Sequence, residues 1–232
     1  MRSNPILKRG LIVSCQALSH EPLHGGDAMQ KMAIATVAAG AIAIRTNGAD
    51  DIRNIKRAVD VPVIGLIKRD IEGSSVFITP TLDEVKAIIA AGADFVAMDV
   101  TDRENRIEEA SRLTEYAHEQ GVLVMADVST FEEGVLAEKI GVDLIGTTLS
   151  GYTPYSSQQD EPDFELVKRL SQELNTPIIA EGRIWQFSDA RKALENGAYA
   201  VVVGSAITRP QLIAARFVEE VNKAGIRMSS DG

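Results

Sequence analysis

The chain has 232 residues, 45% of them hydrophobic, a size and composition at which one α/β barrel domain is expected. Its single cysteine, Cys15, excludes an intrachain disulfide and any zinc site built on several thiolates, and suits a reducing, cytoplasmic setting. A formal net charge of -9 disfavours nucleic acid as a partner, and no apolar run reaches the roughly 20 residues of a membrane-spanning helix.

Along the chain one unit recurs: a short apolar run, a polar turn, a helical pattern, a glycine, then the next run. The runs in order are LIVSCQAL, AIAIRTNG, PVIGLIKRD, DFVAMDVTD, VLVMADVST, DLIGTTLSG, PIIAEGRI and AVVVGSAIT. Between the fourth and fifth, Ile107, Ala110, Leu113 and Ala117 share one helical face. Between the sixth and seventh, Phe164, Val167, Leu170 and Leu174 do the same. The segments AAGA at 38–41 and 90–93, KIGVD at 139–143 and ENGAYA at 195–200 place a glycine where a helix must stop and a strand begin. No linker or low-complexity tract interrupts the series. Residues 1–232 therefore read as a single (β/α)8 TIM barrel with parallel strands and loosely ordered ends, MRSNPI and RMSSDG. An open doubly wound sheet is the alternative, disfavoured because it leaves two strand edges.

In such a barrel the chemistry sits at the carboxyl ends of the strands. Polar residues at those ends are Gln16, Arg45 and Asn47, Lys68 and Asp70, Asp99, Asp127, Thr148 and Ser150, Glu181 and Arg183, and Gly204 and Ser205. Alternation places Ile64, Leu66 and Lys68 on one face of the third strand, and Ile179, Glu181 and Arg183 on one face of the seventh, so Lys68 and Glu181 should both look into the mouth. Lys68 is then either a structural cation paired with Asp70 or Asp99, or a catalytic group. EGR after the seventh run and GSAITRP after the eighth match the usual phosphate position of these barrels, with Arg183 or Arg209 available for added charge.

Three histidines, His20, His24 and His118, supply no second strand end, so a histidine-rich metal centre is not expected; magnesium held by carboxylates stays open. No glycine-rich dinucleotide fingerprint opens a helix. Tyr152 and Tyr155 mark the longest loop, after the sixth strand, which reads equally as a lid or as a surface loop capped by Asp163. Trp185 reads as a packing anchor or oligomer contact.

Taken in order, LIVSCQAL with GGDAMQKMA, AIRTNG, PVIGLIKRD, FVAMDVTDR, ADVST, GTTLSGYT, IAEGRI and VVVGSAITRP resemble the bacterial N-acetylmannosamine-6-phosphate 2-epimerase family over nearly the whole chain. The resemblance implies an isomerase that converts N-acetylmannosamine 6-phosphate to N-acetylglucosamine 6-phosphate in sialic acid and amino sugar breakdown, with no metal and no other cofactor. It carries the catalytic pair onto Lys68 and Glu181 and substrate binding onto Gln16, Arg45 and Asp127, with Arg183 beside them. It places the phosphate near Gly182, Gly204, Ser205 and Arg209. The expected partner is a phosphorylated amino sugar, with neither nucleic acid nor membrane, in a chain that is a candidate homodimer.

Inverting the carbon beside a latent aldehyde proceeds through a planar, enediolate-like intermediate, and acid and base groups on two sides of the ligand would suit it. Lys68 would act neutral as a base, or charged as a stabiliser of the developing oxyanion. A Schiff-base phosphosugar aldolase and a noncatalytic phosphosugar-binding protein are the competing readings.

Overall fold

The computed structural model describes residues 7–70, 72 and 77–224. The expectation of loose ends falls on 1–6 and 227–232, outside those residues. Eight strands, β1 (Leu11–Cys15), β2 (Ala43–Asn47), β3 (Val63–Leu66), β4 (Phe95–Asp99), β5 (Leu123–Asp127), β6 (Leu144–Gly146), β7 (Ile178–Glu181) and β8 (Ala200–Val203), pair in sequence order, all parallel. β1 pairs with both β2 and β8, so the sheet closes on itself as a (β/α)8 barrel. The helices are α1 (Ala28–Ala38), α2 (Ala49–Ala58), α3 (Leu82–Ala90), α4 (Arg106–Glu119), α5 (Phe131–Lys139), α6 (Phe164–Glu173), α7 (Phe187–Glu195), a single-turn α8 (Ser205–Thr208) and α9 (Pro210–Lys223).

Strand alternation divides the core. Ile12, Ile64, Leu66, Phe95, Met125, Leu144, Ile179 and Val202 fill the barrel, while Val13, Ile44, Val63, Val96, Val124 and Ile145 face outward onto helix residues such as Ile52, Ile88, Leu113 and Leu170. The same alternation, carried to the carboxyl ends, turns polar residues toward the mouth. Gly65 is required by close packing rather than by φ: a Cβ there would lie 2.7 Å from Ile52 and 2.8 Å from Ile88. Gly40, Gly92, Gly141 and Gly197, the helix-stopping glycines of the sequence, take φ of 104°, 91°, 86° and 99°.

α4 buries Ala110, Leu113 and Ala117, as its periodicity predicts. α6 buries Val167 and Leu170 but ends one residue before Leu174, which leaves the helix in an extended conformation. α9, opened by Pro210 in its first turn, has no buried residue, and Phe217, Val218 and Val221 are exposed on it. No helix among the described residues is long and apolar enough to cross a membrane.

β3 ends at Leu66, so Lys68 lies just past the strand rather than on it. It is held there by a returning segment the sequence reading did not anticipate: Arg69 N–H donates to Phe77 O (3.0 Å) and Thr79 N–H to Ile67 O (2.8 Å), an antiparallel bridge of Lys68 with Ile78. Lys68 N–H also donates to Asn47 Oδ1 at 2.8 Å, tying it to the end of β2.

Candidate active site

A cavity of about 630 Å³ opens at the carboxyl ends of the strands. Ser14 on β1 and Gln16 just after it, Lys68 after β3, Thr148 after β6, Glu181 on β7 and Gly204 after β8 face it. Of the residues expected at the site, Lys68, Glu181, Gln16, Arg183, Gly182, Gly204, Ser205 and Arg209 all line this one space. Arg45 and Asp127 do not. They lie beneath it, 1% and 0% exposed, joined fork to fork with Arg45 Nη1 to Asp127 Oδ1 at 3.0 Å and Nη2 to Oδ2 at 2.6 Å.

That pair reaches the cavity through two neighbours. Thr148 Oγ1 lies 2.6 Å from Asp127 Oδ1 and 3.1 Å from Glu181 Oε2, and Arg45 Nη1 lies 3.3 Å from the same Glu181 oxygen. Burial opposes the charge on Arg45, but Asp127 and Glu181 override it and raise the guanidinium above its ordinary value. Burial pushes the Glu181 carboxyl up, with Asp127 adding to the rise and Arg45 opposing it.

Lys68 has no such partner. Asp70 is exposed, and Asp99 accepts from Thr101 N–H at 2.8 Å and Thr101 Oγ1 at 2.6 Å while facing Arg103. No carboxylate among the described residues lies within ion-pair distance of Lys68, so the structural-cation alternative finds neither of its two proposed partners. Burial, followed by the nearby Arg45 and Arg209 cations, lowers the Lys68 ammonium to about 8.

The glycine turns have separate causes. Gly182 takes φ 113°, reachable without strain only by glycine, and Arg183 follows at φ 57°. Gly204 is small because β1 is close: a Cβ would lie 3.2 Å from Ser14 Cβ. Thr208 Oγ1 donates to Ser14 O at 2.7 Å and pins α8 over the cavity. Arg209 is held at the rim by Glu21 (3.1 Å), and Arg183 donates to Glu161 O and Ser150 O, bracing the loop after β6.

Asp163 caps α6 by accepting from Leu166 N–H at 3.0 Å, and in the same loop Tyr155 OH donates to Glu133 Oε1 at 2.8 Å. Tyr152, 67% exposed, edges the cavity. Trp185 lines the cavity with Arg216 4.3 Å over its ring. His24 Nδ1 contacts Ala17 O at 3.2 Å, and no group of three or more His, Cys, Asp or Glu able to hold a metal is present among the described residues. Cys15 is buried, its thiol pushed up to about 12 by burial.

Ser14, Arg103 and Trp185 line the cavity without having been singled out as site residues, and Thr148 had been placed at a strand end without a role. Ser14 was detectable in principle, two residues before Gln16 on the same alternation. Arg103 lies beyond the point where strand spacing carries information.

A closed (β/α)8 barrel whose mouth gathers a lysine and a carboxyl group has the architecture of a TIM-barrel enzyme. A family model described as "Putative N-acetylmannosamine-6-phosphate epimerase" matches residues 29–223, and the chain belongs to that family. A relative from Caldanaerobacter subterraneus subsp. tengcongensis, described in the same terms as a 2-epimerase, is 56% identical over 217 residues covering 91% of each chain. One from Clostridium perfringens is 49% identical over 92% of this chain and 97% of its own. The solved structure of the N-acetylmannosamine-6-phosphate 2-epimerase from Clostridium perfringens superposes with a TM-score of 0.88 at 48% identity, covering 92% of this chain and 94% of that one. Thiamine phosphate pyrophosphorylase from Pyrococcus furiosus, at 19% identity and a TM-score of 0.59 over 86% of this chain and 87% of its own, shares the fold alone.

Proposed function

We propose that the protein converts N-acetylmannosamine 6-phosphate to N-acetylglucosamine 6-phosphate by removing and returning the C2 proton without a metal ion. The setting is sialic acid and amino sugar breakdown in the cytoplasm. The substrate follows from what the relatives are named for. The chemistry rests on one observation: Lys68, half-buried and without an ion-pair partner among the described residues, shares a cavity with the Glu181 carboxyl, and its surroundings lower the ammonium to about 8 and raise the carboxyl.

Both shifts run toward the neutral forms, an amine and a carboxylic acid, which are the base and acid that enolisation beside a carbonyl uses; with Lys68 at about 8 the free amine is the minority form at neutral pH and is the form that reacts. Once the sugar ring opens, the Lys68 amine takes the C2 proton and Glu181 donates its proton to O1, giving a neutral enol. The enol turns within the cavity, the Lys68 ammonium returns a proton to the other face of C2, and the Glu181 carboxylate recovers the O1 proton. Each group ends as it began. Two groups working on opposite faces of C2 would instead finish every turnover with their protons exchanged and would need resetting. Arg45 and Asp127 act by holding Glu181. The buried Gln16 Oε1, which has no protein partner, accepts from the sugar. The turns at Gly182, Gly204 and Ser205 offer backbone N–H groups to the phosphate, with Arg209 at the rim, and Arg183 keeps the Tyr152 loop against the mouth.

Hydrogen exchange at C2 in deuterated water, followed by NMR together with epimerisation, is the test. Lys68→Ala abolishes both, and Glu181→Gln slows both by a common factor of about 10². Loss of epimerisation with exchange retained in Glu181→Gln would assign Glu181 to the opposite face of C2. Normal turnover in Lys68→Ala would overturn the mechanism. Borohydride trapping of substrate on Lys68 would favour the aldolase reading. We also propose a homodimer, supported by the exposed Phe217, Val218 and Val221 of α9; a monomer in sedimentation at working concentration would exclude it.

A further inference from the structure

We infer that Thr148 is a positioning residue that holds a proton on Glu181 by accepting its hydrogen bond while donating its own to Asp127. This deepens the proposed mechanism and rests on it for the meaning of that proton. The hydroxyl of Thr148 has one hydrogen, yet two carboxyl groups lie against its oxygen, Asp127 Oδ1 at 2.6 Å and Glu181 Oε2 at 3.1 Å. An ionised carboxylate only accepts, so with both ionised one of these contacts would set lone pair against lone pair in a buried site. For both contacts to be full hydrogen bonds, one carboxyl brings its own hydrogen.

Asp127 is the poorer choice, because both its oxygens face the Arg45 guanidinium at 3.0 and 2.6 Å, a fork that demands a carboxylate. Glu181 meets Arg45 through one oxygen only, at 3.3 Å. The chain of donors thus runs from Glu181 to Thr148 to Asp127, with Arg45 closing it. The charged groups facing Glu181 are Arg45 from β2, Lys68 beyond β3 and Asp127 from β5; burial together with Asp127 favours the protonated carboxyl, against the two cations and against a Thr148 hydroxyl whenever that hydroxyl donates to Glu181 rather than to Asp127.

The experiment is a carbon NMR titration of substrate-free protein carrying labelled glutamate, with Glu181→Gln used to assign the signal. Wild type and Thr148→Ser are expected to show Glu181 protonated at neutral pH. Thr148→Val, which can neither accept nor donate, is expected to titrate at lower pH and to lose about tenfold in turnover at neutral pH, while Thr148→Ser stays near wild type. A wild-type Glu181 ionised at neutral pH would overturn the proposal. So would a Thr148→Val titration that is unmoved or moves upward, the latter being the sign of a hydroxyl that donates to a carboxylate. Thr148→Ala serves if the valine variant does not fold, and the wild-type titration is decisive by itself. Because no substrate is present, the titration reports on Thr148 even if turnover assays reject the mechanism.

Discussion

At the amino end of the barrel, Asp94 Oδ2 accepts from Val63 N–H at 2.7 Å and Lys56 Nζ at 2.8 Å, and Asp143 Oδ2 from Val124 N–H at 2.8 Å with His118 Nε2 at 2.8 Å. Glu138 Oε2 accepts from Asn175 and Thr176 N–H at 2.9 and 2.8 Å. Each carboxylate there ties a helix or loop to the start of a strand, partly in water and with partners for its charge. At the carboxyl end the same residue types are buried or half-buried and unevenly matched: Asp127 has the whole fork of Arg45, Glu181 has a share of it, and Lys68 has no carboxylate among the described residues. Charges of one kind thus fasten the strands at one end and, in the mechanism proposed above, move protons at the other. Water and backbone donors satisfy the first set, and burial destabilises the second.

Breaking the matched pair at the mouth should have the largest effect on stability. Asp127→Asn leaves Arg45 buried without its counter-ion and is expected to destabilise the protein by about 3–5 kcal/mol in urea unfolding. Removing the unmatched charge should do the reverse. Lys68→Met is expected to lose turnover and to gain up to about 3 kcal/mol at neutral pH, because a lysine lowered from 10.5 to about 8 opposes folding by roughly that amount. The sign can be checked by titration. Between about 8 and 10.5 the unfolded chain holds more protons than the folded one, so wild-type stability rises with pH there and the advantage of the methionine variant disappears.

At the other end, Asp94→Asn should lose about 1 kcal/mol and leave turnover unchanged. For Glu138, burial raises the carboxyl but the Thr176 and Asn175 hydrogen bonds outweigh it and hold it below the ordinary carboxylate range. Its contribution is therefore present above the unfolded value and lost as pH falls through the folded one, a loss that Glu138→Gln should remove from the acid side of the stability profile.

Most of the barrel was legible because its signals are local. The eight apolar runs, the helical faces of α4 and α6 and the glycines at 40, 92, 141 and 197 each act over a few residues, and strand alternation carried Lys68 and Glu181 to the same mouth. The site was legible as a set of residues and not as a set of contacts. Lys68 reads as a strand residue, yet its backbone is held by Asn47 and by the returning segment at 77–79, a pairing that no periodicity encodes. Arg183 reads as a phosphate cation, yet its guanidinium is engaged by loop carbonyls.

By itself the sequence determined the parallel eightfold unit, the positions at which it turns, and which strands end in ionisable side chains, since those follow from residue type and spacing along one short segment. Only the closed barrel decided that Arg45 of β2 and Asp127 of β5 meet across its interior while Lys68 finds no carboxylate partner among the described residues. Pairing of charges depends on distances between segments far apart in the chain, and these exist only once the sheet has closed and excluded water from its centre.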